Sequence, residues 1–338
     1  MTQQEKVFQL RNLIKEQLSP LINADYYLFD LPYYENIGDT LIWQGEMDFL
    51  NSLPYHCLGV CSKETWSQDV LNVKDDDVIL LQGGGNFGDL YVPHQDFRKE
   101  IVKHYPNNRI IVLPQTVSYN NMLNLRNDAA VFRAHKNLTI CCRDTFSYKL
   151  LSQYGMRDQL LLLPDMAFCI DTPYVLEPHV QRLNGKNLLA KRVDGELVKR
   201  NNYDALMKAY KPYDVRDWPT YEETLACVQA MRDKLASKDR DADKYANEVF
   251  RPELLALGTS FLSAYGVVVT TRLHIAILSV LLGKRVVILD NKYGKLGDFY
   301  NSWLMDTELV SLNRPCSIKM SIKWQRIKAI LRQYKSRH

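Results

Sequence analysis

The run Val267-Val-Val-Thr-Thr-Arg-Leu-His274 places a guanidinium, Arg272, and an imidazole, His274, just after three β-branched apolar residues. Such residues read as a buried parallel strand, and Ile275 to Leu282, closed by Gly283, read as the helix that follows. In open α/β sheets ligands bind at the carboxyl ends of strands, and a helix N-terminus adds free N–H groups and a positive dipole end. This suits a small anion, with His274 as the acid or base, since imidazole is the side chain fitted to proton transfer at neutral pH. The competing reading makes Arg272 a surface charge and His274 a capping or core histidine. Arg192 also follows a strand, Asn187-Leu-Leu-Ala190, so two guanidiniums can converge on one carboxylate or phosphate. Asp194 and Glu196 either orient Arg192 or are simply solvated. Lys292 and Lys295 follow the next strand and add positive charge.

The first half of the chain offers a different chemistry. Gln82-Gly-Gly-Gly-Asn-Phe-Gly-Asp89 follows a buried strand, Asp77 to Leu81. Successive glycines remove side chains and let another group approach the backbone, so Gly84, Gly85 and Asn86 form a ligand-facing loop; a tight turn with no ligand is the alternative. The glycine spacing is neither the dinucleotide fingerprint nor a P-loop. Asn36-Ile-Gly-Asp39 occupies the same kind of place after the first strand, where Asp39 either faces a ligand or caps a helix. Together Asp39, Asn86 and Asp89 suit hydrogen bonds to sugar hydroxyls. Arg143-Asp144 reads as a structural pair between loops. Asp165 is a cleft group or a turn cap. No set of residues has zinc spacing, and no Gly-x-Ser-x-Gly is present.

These residues need a scaffold that brings strand ends together. Continuous apolar strands at Asp25–Phe29, His56–Val60, Asp77–Leu81, Arg109–Leu113, Leu138–Cys142 and Leu160–Leu163 alternate with helical patterns. That alternation means a parallel sheet covered on both faces. The polar stretch from Asp171 to Gly185 reads as a linker, and a second α/β unit begins at Asn187. A chain of 338 residues exceeds what one core serves, which also predicts two domains. The expected division is residues 1–170, 185–315 and a terminal helix over 316–338. Asn201 to Arg251 reads as mostly helical.

The net charge of +4 is too mild and too evenly spread to argue for nucleic acid. Seven cysteines without framework spacing read as free thiols in a reducing compartment. The polar opening segment lacks the features of a signal peptide, and no apolar run reaches the ~20 residues a membrane span needs. The expected location is the cytoplasm. The tail from Lys319 to His338 carries seven Lys or Arg residues and no acid. It offers either a peripheral contact with the inner face of a membrane or, on the competing reading, a helix whose apolar stripe packs on the body.

Taken in order, Asn36-Ile-Gly-Asp39, Gly83-Gly-Gly-Asn86, Pro114-Gln115, Arg143-Asp144, Pro164-Asp-Met-Ala-Phe168, Arg192-x-Asp-x-Glu196 and Arg272-Leu-His274 resemble the polysaccharide pyruvyl transferase family. The resemblance covers roughly residues 25 to 305. It implies two Rossmann-like domains facing a cleft, in the manner of the glycosyltransferase-B fold. It implies transfer of a pyruvyl group from phosphoenolpyruvate to two hydroxyls of one sugar, in a polysaccharide or its lipid-linked precursor, forming a cyclic ketal and releasing phosphate. Arg272 and His274 then belong to the donor site, Arg192 is a second donor ligand, and Asp39, Asn86 and Asp165 line the cleft. The scheme requires no metal and no cofactor beyond the donor substrate. Two other readings remain open: a nucleotide-sugar glycosyltransferase of the same fold, and a non-catalytic binding protein that kept the cleft.

Overall fold

The computed structural model of the chain describes residues 1–67, 72–192, 203–290 and 294–313. Two parallel sheets organise it. The first contains β1 (Tyr26–Phe29), β2 (Cys57–Val60), β3 (Val78–Leu81), β4 (Gly84–Gly88), β5 (Arg109–Ser118), β6 (Leu138–Cys142) and β7 (Leu160–Leu162). Its order is β2-β1-β3-β5-β6-β7, with β4 beside the far end of β5. The second contains β8 (Asn187–Ala190), β9 (Tyr213–Arg216), β10 (Val267–Thr270), β11 (Arg285–Leu289) and β12 (Val310–Asn313), in the order β12-β11-β10-β8-β9. Parallel neighbours need crossovers, and helices supply them. In the first half these are α2 (Ile37–Leu50), α3 (Val92–His104), α4 (Met122–Ala134) and α5 (Thr145–Leu151), while α1 (Gln3–Leu18) precedes the first strand. After the single turn α6 (Thr172–Val175) come α7 (Tyr203–Met207), α8 (Ala226–Ala236), α9 (Ala242–Tyr245), α10 (Arg251–Ser263), α11 (Leu273–Leu281) and α12 (Lys295–Phe299).

Strand side chains alternate between faces. Leu28 and Leu80 of the first sheet therefore join Leu188, Val268 and Val286 of the second in one core, while Phe29, Ile79 and Leu81 point the other way. Between the sheets, α2 packs on α10 and α11, and α1 also reaches α11. Gly258 allows the α2–α10 approach: a Cβ there would lie 2.6 Å from Ile37 Cγ2. The chain's first helix is tied to the second sheet's flank, with Gln3 Nε2 donating to Lys284 O at 2.8 Å and Lys6 paired to Asp306 at 2.7 Å.

Strand order creates a reversal in each sheet. β1 has β2 on one side and β3 on the other; β8 has β9 on one side and β10 on the other. At such a point the loops leave the sheet in opposite directions and open a crevice at the strands' carboxyl ends. Asp30 and Gln82-Gly83 follow β1 and β3; Arg192 and Arg272 follow β8 and β10.

Three expectations are corrected. The glycine stretch after β3 is a strand, β4, and β5 runs through Pro114 to Ser118. Proline gives no N–H to a ladder, so the pairing with β5 breaks at Gln82-Gly83 and resumes at Gly84. The Asn201–Arg251 region contains a strand, β9, and a further strand, β12, extends the other edge of that sheet. Both are short edge strands with polar residues in them (YDVR and VSLN), so neither makes the apolar run that marks a central strand. The basic stretch 319–338 lies outside the described residues, as do Asp194, Glu196 and Lys292.

Candidate active site

One wall of the site grows from the first sheet. α2 starts at Ile37, so Asn36 is its cap, accepting from Gly38 N at 3.0 Å. Asp39 is thereby released from the capping role considered for it. Its Oδ2 accepts instead from Tyr34 O–H at 2.9 Å and Asn36 Nδ2 at 2.7 Å. The β3–β4 break is held from beneath by Glu46, fully buried on α2, whose Oε1 accepts from Gly83 N at 2.8 Å. Burial pushes the Glu46 carboxyl well above the usual range, and the bond from Gly83 only partly opposes this. Gly84 adopts φ 135, a region that favours glycine, and Asn86 accepts from Arg98 Nη2 at 2.9 Å. Asp89 turns away: it accepts from Asn120 N and Asn121 N, bracing the next loop. At the end of β1, Asp30 has φ 67, which costs a non-glycine residue about 1–3 kcal/mol. Its carboxylate is held by His94 and Arg98.

Arg143 and Asp165 follow β6 and β7. The expected Arg143–Asp144 pair does not form. Successive residues leaving a strand point to opposite sides, so Asp144 caps α5, accepting from Ser147 N at 2.7 Å, while Arg143 turns into the site. Arg143 Nη1 meets Asp165 Oδ2 at 2.6 Å, and Arg143 Nε donates to Thr116 Oγ1 at 2.9 Å. Gly85 leaves room for it, since a Cβ there would lie 3.1 Å from Arg143 Nη2. Asp165 does cap a turn, through Oδ1 and Ala167 N at 3.0 Å, but its Oδ2 also faces His274 Nε2 at 3.4 Å. Burial alone would raise the Asp165 carboxyl; His274 and Arg143 outweigh it and hold the group below the usual carboxylate range.

The second wall comes from β8 and β10. Thr271 Oγ1 accepts from Arg192 N at 3.1 Å, and Thr270 Oγ1 from Arg272 N at 2.9 Å, so the two strand ends are fixed side by side. Arg272 is the N-cap residue of α11. Its guanidinium makes a fork with Asp217, Nη2 to Oδ2 at 2.5 Å and Nε to Oδ1, and lies 4.8 Å from the centre of the Tyr221 ring. His274, two residues on, crosses to the first wall. It lies against the backbone of α2 because Gly38 has no side chain: a Cβ there would come within 2.6 Å of His274 Nδ1.

The two walls enclose a cavity of about 480 Å³. Asp39, Gly85, Asn86, Arg192, Arg272 and His274 all line it. Gly84 and Asp165 stand just behind, the first beside Asp39 and the second beneath Arg143. Lys295 at the start of α12 also lines it, as do Arg143, Thr116, Tyr34, His94, Trp218 and Tyr221. The sequence pattern does not reveal several of these: adjacency makes Arg143 half of a structural pair, Tyr221 and His94 stand in no motif, and neither do Asp217 and Asp30, which hold Arg272 and His94 from behind. Arg192, Arg272 and Lys295 stand on the second wall, and Arg143 from the first meets His274; amides, hydroxyls and carboxylates otherwise dominate the first. The arrangement can hold a small multivalent anion beside a polyhydroxyl compound, with an imidazole between them. Among the described residues, no group of three or more His, Cys, Asp or Glu side chains is arranged to hold a metal ion. No helix among them is long and apolar enough to cross a membrane.

The model of the family described as "Polysaccharide pyruvyl transferase" matches residues 36–293. The chain belongs to the polysaccharide pyruvyl transferase family. It is 34% identical over 311 residues to the Bacillus subtilis protein named "Putative pyruvyl transferase EpsO", covering 89% of this chain and 90% of that one. It is 29% identical over 292 residues to "Pyruvyl transferase 1" of Schizosaccharomyces pombe, covering 82% and 69%. A crystal structure of an uncharacterised protein from Klebsiella pneumoniae subsp. pneumoniae superposes with a TM-score of 0.59 at 20% identity, covering 90% of this chain and 98% of that one. That last likeness speaks to fold. Membership of the pyruvyl transferase family supports a transferase role in polysaccharide pyruvylation.

Proposed function

We propose that this pyruvyl transferase moves the pyruvyl group of phosphoenolpyruvate onto two hydroxyls of one sugar, forming a cyclic ketal and releasing phosphate. The observation that carries the reading is the meeting of Arg272 and His274 with the Asn36–Asp39 segment across one cavity, at the reversal points of both sheets. Arg272 and Arg192 hold the carboxylate and phosphate of the donor, with the N-terminus of α11 behind them. His274 gives a proton to the methylene carbon, and the arginines stabilise the departing phosphate. Asp39 and Asn86 hold acceptor hydroxyls, and Gly84 and Gly85 let the sugar approach the backbone. Asp165 and Arg143 orient His274. The scheme uses no metal and no further cofactor.

The architecture this assumes is that of the glycosyltransferase-B fold, with residues 1–170 on the acceptor side and 185–315 on the donor side. The acceptor is a polysaccharide or its lipid-linked precursor, met at the cytoplasmic face of a membrane, where the basic 316–338 segment offers a peripheral contact.

The test is phosphate release from phosphoenolpyruvate with a panel of acceptor sugars. Acceptor-dependent release should fall by about 10²-fold or more in Arg272→Ala, the range for losing a charged group that stabilises developing charge. If phosphoenolpyruvate neither reacts nor raises the melting temperature, while a nucleoside diphosphate does raise it, the donor is a nucleotide sugar and this reading is wrong.

A further inference from the structure

The scheme above employs one imidazole, and among the described residues the cavity is lined by two. His94 lies in the first turn of α3, and its Nδ1 is 2.7 Å from Asp30 Oδ1. Asp30 is buried at the end of β1, at the reversal point of the first sheet, in the left-handed backbone conformation described above. Its second oxygen faces Arg98 Nη2 at 3.5 Å. Arg98 is fully buried, lies over the Phe87 ring, and also donates to Gln95 and Asn86. The Tyr34 ring meets the His94 ring edge-on, and the Tyr34 hydroxyl bonds Asp39. Among the described residues no hydrogen bond reaches His94 Nε2. A carboxylate at Nδ1 favours the tautomer that carries its proton there, and Nε2 is then the acceptor nitrogen of this cavity-lining imidazole. A carboxylate in that place also stabilises the imidazolium formed when Nε2 takes a proton.

We propose that His94 is the general base that deprotonates an attacking acceptor hydroxyl, and that Asp30 is its positioning residue. The proposal rests on the phosphoenolpyruvate reading and deepens it. As the hydroxyl oxygen bonds to C2 of the donor, its proton passes to His94 Nε2. His274 gives a proton to C3, and the C2–O bond to phosphate breaks with its electron pair leaving on phosphate. The second hydroxyl closes the ring and loses its proton. Of the two hydroxyl protons removed, one balances the proton given to C3 and the other departs with phosphate. The two imidazoles are placed for these separate tasks. His274 stands beside the Arg143 guanidinium and two positions from Arg272, where a donor anion is drawn in. His94 stands beside Asn86, Tyr34 and the Asp39 network, where hydroxyls find amide and carboxylate partners.

The experiment compares acceptor-dependent phosphate release and phosphoenolpyruvate-induced stabilisation in the full chain and its variants. His94→Ala should lower kcat by about 10²–10⁴-fold, the usual worth of general base catalysis, while the donor still raises the melting temperature. Added imidazole should recover part of the loss. His94→Gln, which keeps the bulk and a donor for Asp30, should fold as wild type and be as slow. Asp30→Asn should lower kcat with the KM for phosphoenolpyruvate unchanged. A His94→Gln enzyme that turns over at the wild-type rate overturns the proposal, and so does a His94→Ala loss that imidazole leaves untouched. A wild-type protein that neither binds nor consumes phosphoenolpyruvate overturns instead the reading beneath it, and that result is visible before any variant is made.

Discussion

The first-sheet wall meets the cavity with side chains that hold one another. Tyr34, Asn36 and Asp39 form one hydrogen-bonded set, and Asp30, His94, Arg98 and Asn86 form another. The second-sheet wall meets it with two arginines whose backbone N–H groups are tied to the Thr271 and Thr270 hydroxyls, the Arg272 guanidinium being held in addition by a fork to Asp217. The first arrangement presents donors and acceptors at set places, which would suit a pattern of hydroxyls. The second presents concentrated positive charge at a helix N-terminus, which attracts an anion whatever its shape. Asp165 joins the two walls. It pairs with Arg143 from the first and faces His274 from the second, so the imidazole is referenced to both.

Removing that joint should have the largest effect. Asp165→Asn leaves the buried Arg143 guanidinium without its counter-charge, a change that costs about 3–5 kcal/mol when a buried pair is broken. Urea titration would measure it, and a midpoint within error of wild type would show that the two walls are held elsewhere. The same carboxylate sets a pH dependence. Its folded value lies below its unfolded one, so its contribution is fully present above the ordinary aspartate value of about 3.9 and is lost as pH falls below that toward the depressed value. Stability of the wild type should therefore drop more steeply below pH ~4 than that of Asp165→Asn.

A second change separates the walls by function. Asp217→Asn loosens the Arg272 fork without touching Asp39 or His94. Donor affinity should fall about 10- to 100-fold, the scale of a weakened charge-assisted pair, with the acceptor KM unchanged. Equal losses toward donor and acceptor would mean the walls do not divide the substrates. The smallest expected effect is at the contact between them. Gly38→Ala puts a methyl where the His274 ring lies, so kcat should fall about tenfold while donor binding stays as it was, because a small misplacement of a reacting group is felt in the chemical step. An unchanged kcat would show that the ring can move away without penalty.

Much of the site was legible as a series of polar residues at strand ends. Asn86, Arg192, Arg272 and His274 each follow an apolar strand within a few positions, Asp39 follows its strand after a longer loop, and all line one cavity. What failed did so for local or long-range geometric reasons. Arg143 and Asp144 are adjacent in sequence, which suggested a pair, yet adjacency at a strand end sends two side chains apart. Asp39 looked like a cap because the first helical residue could not be fixed to within two positions, and a helix that begins at Ile37 gives that place to Asn36. Asp30 and His94 lie 64 positions apart, and neither stands in a pattern that points to the other. Asp217 follows a short edge strand that the sequence presents as polar, helix-like chain.

The sequence by itself determined the alternation of buried strands with helices, and with it the parallel sheets and the habit of polar motifs to fall at carboxyl ends of strands. These are local properties, because the strand's run of apolar residues and the helix's period are both read over a few residues. Only the tertiary structure decided which strand ends face each other. That depends on strand order: β1 beside both β2 and β3, and β8 beside both β9 and β10, put one reversal in each sheet. It depends too on α2 packing against α10 and α11, which turns the two reversals toward a common cavity. No stretch of sequence encodes that meeting alone, because the contacts that fix it join residues more than a hundred positions apart, as Arg143 and His274 are.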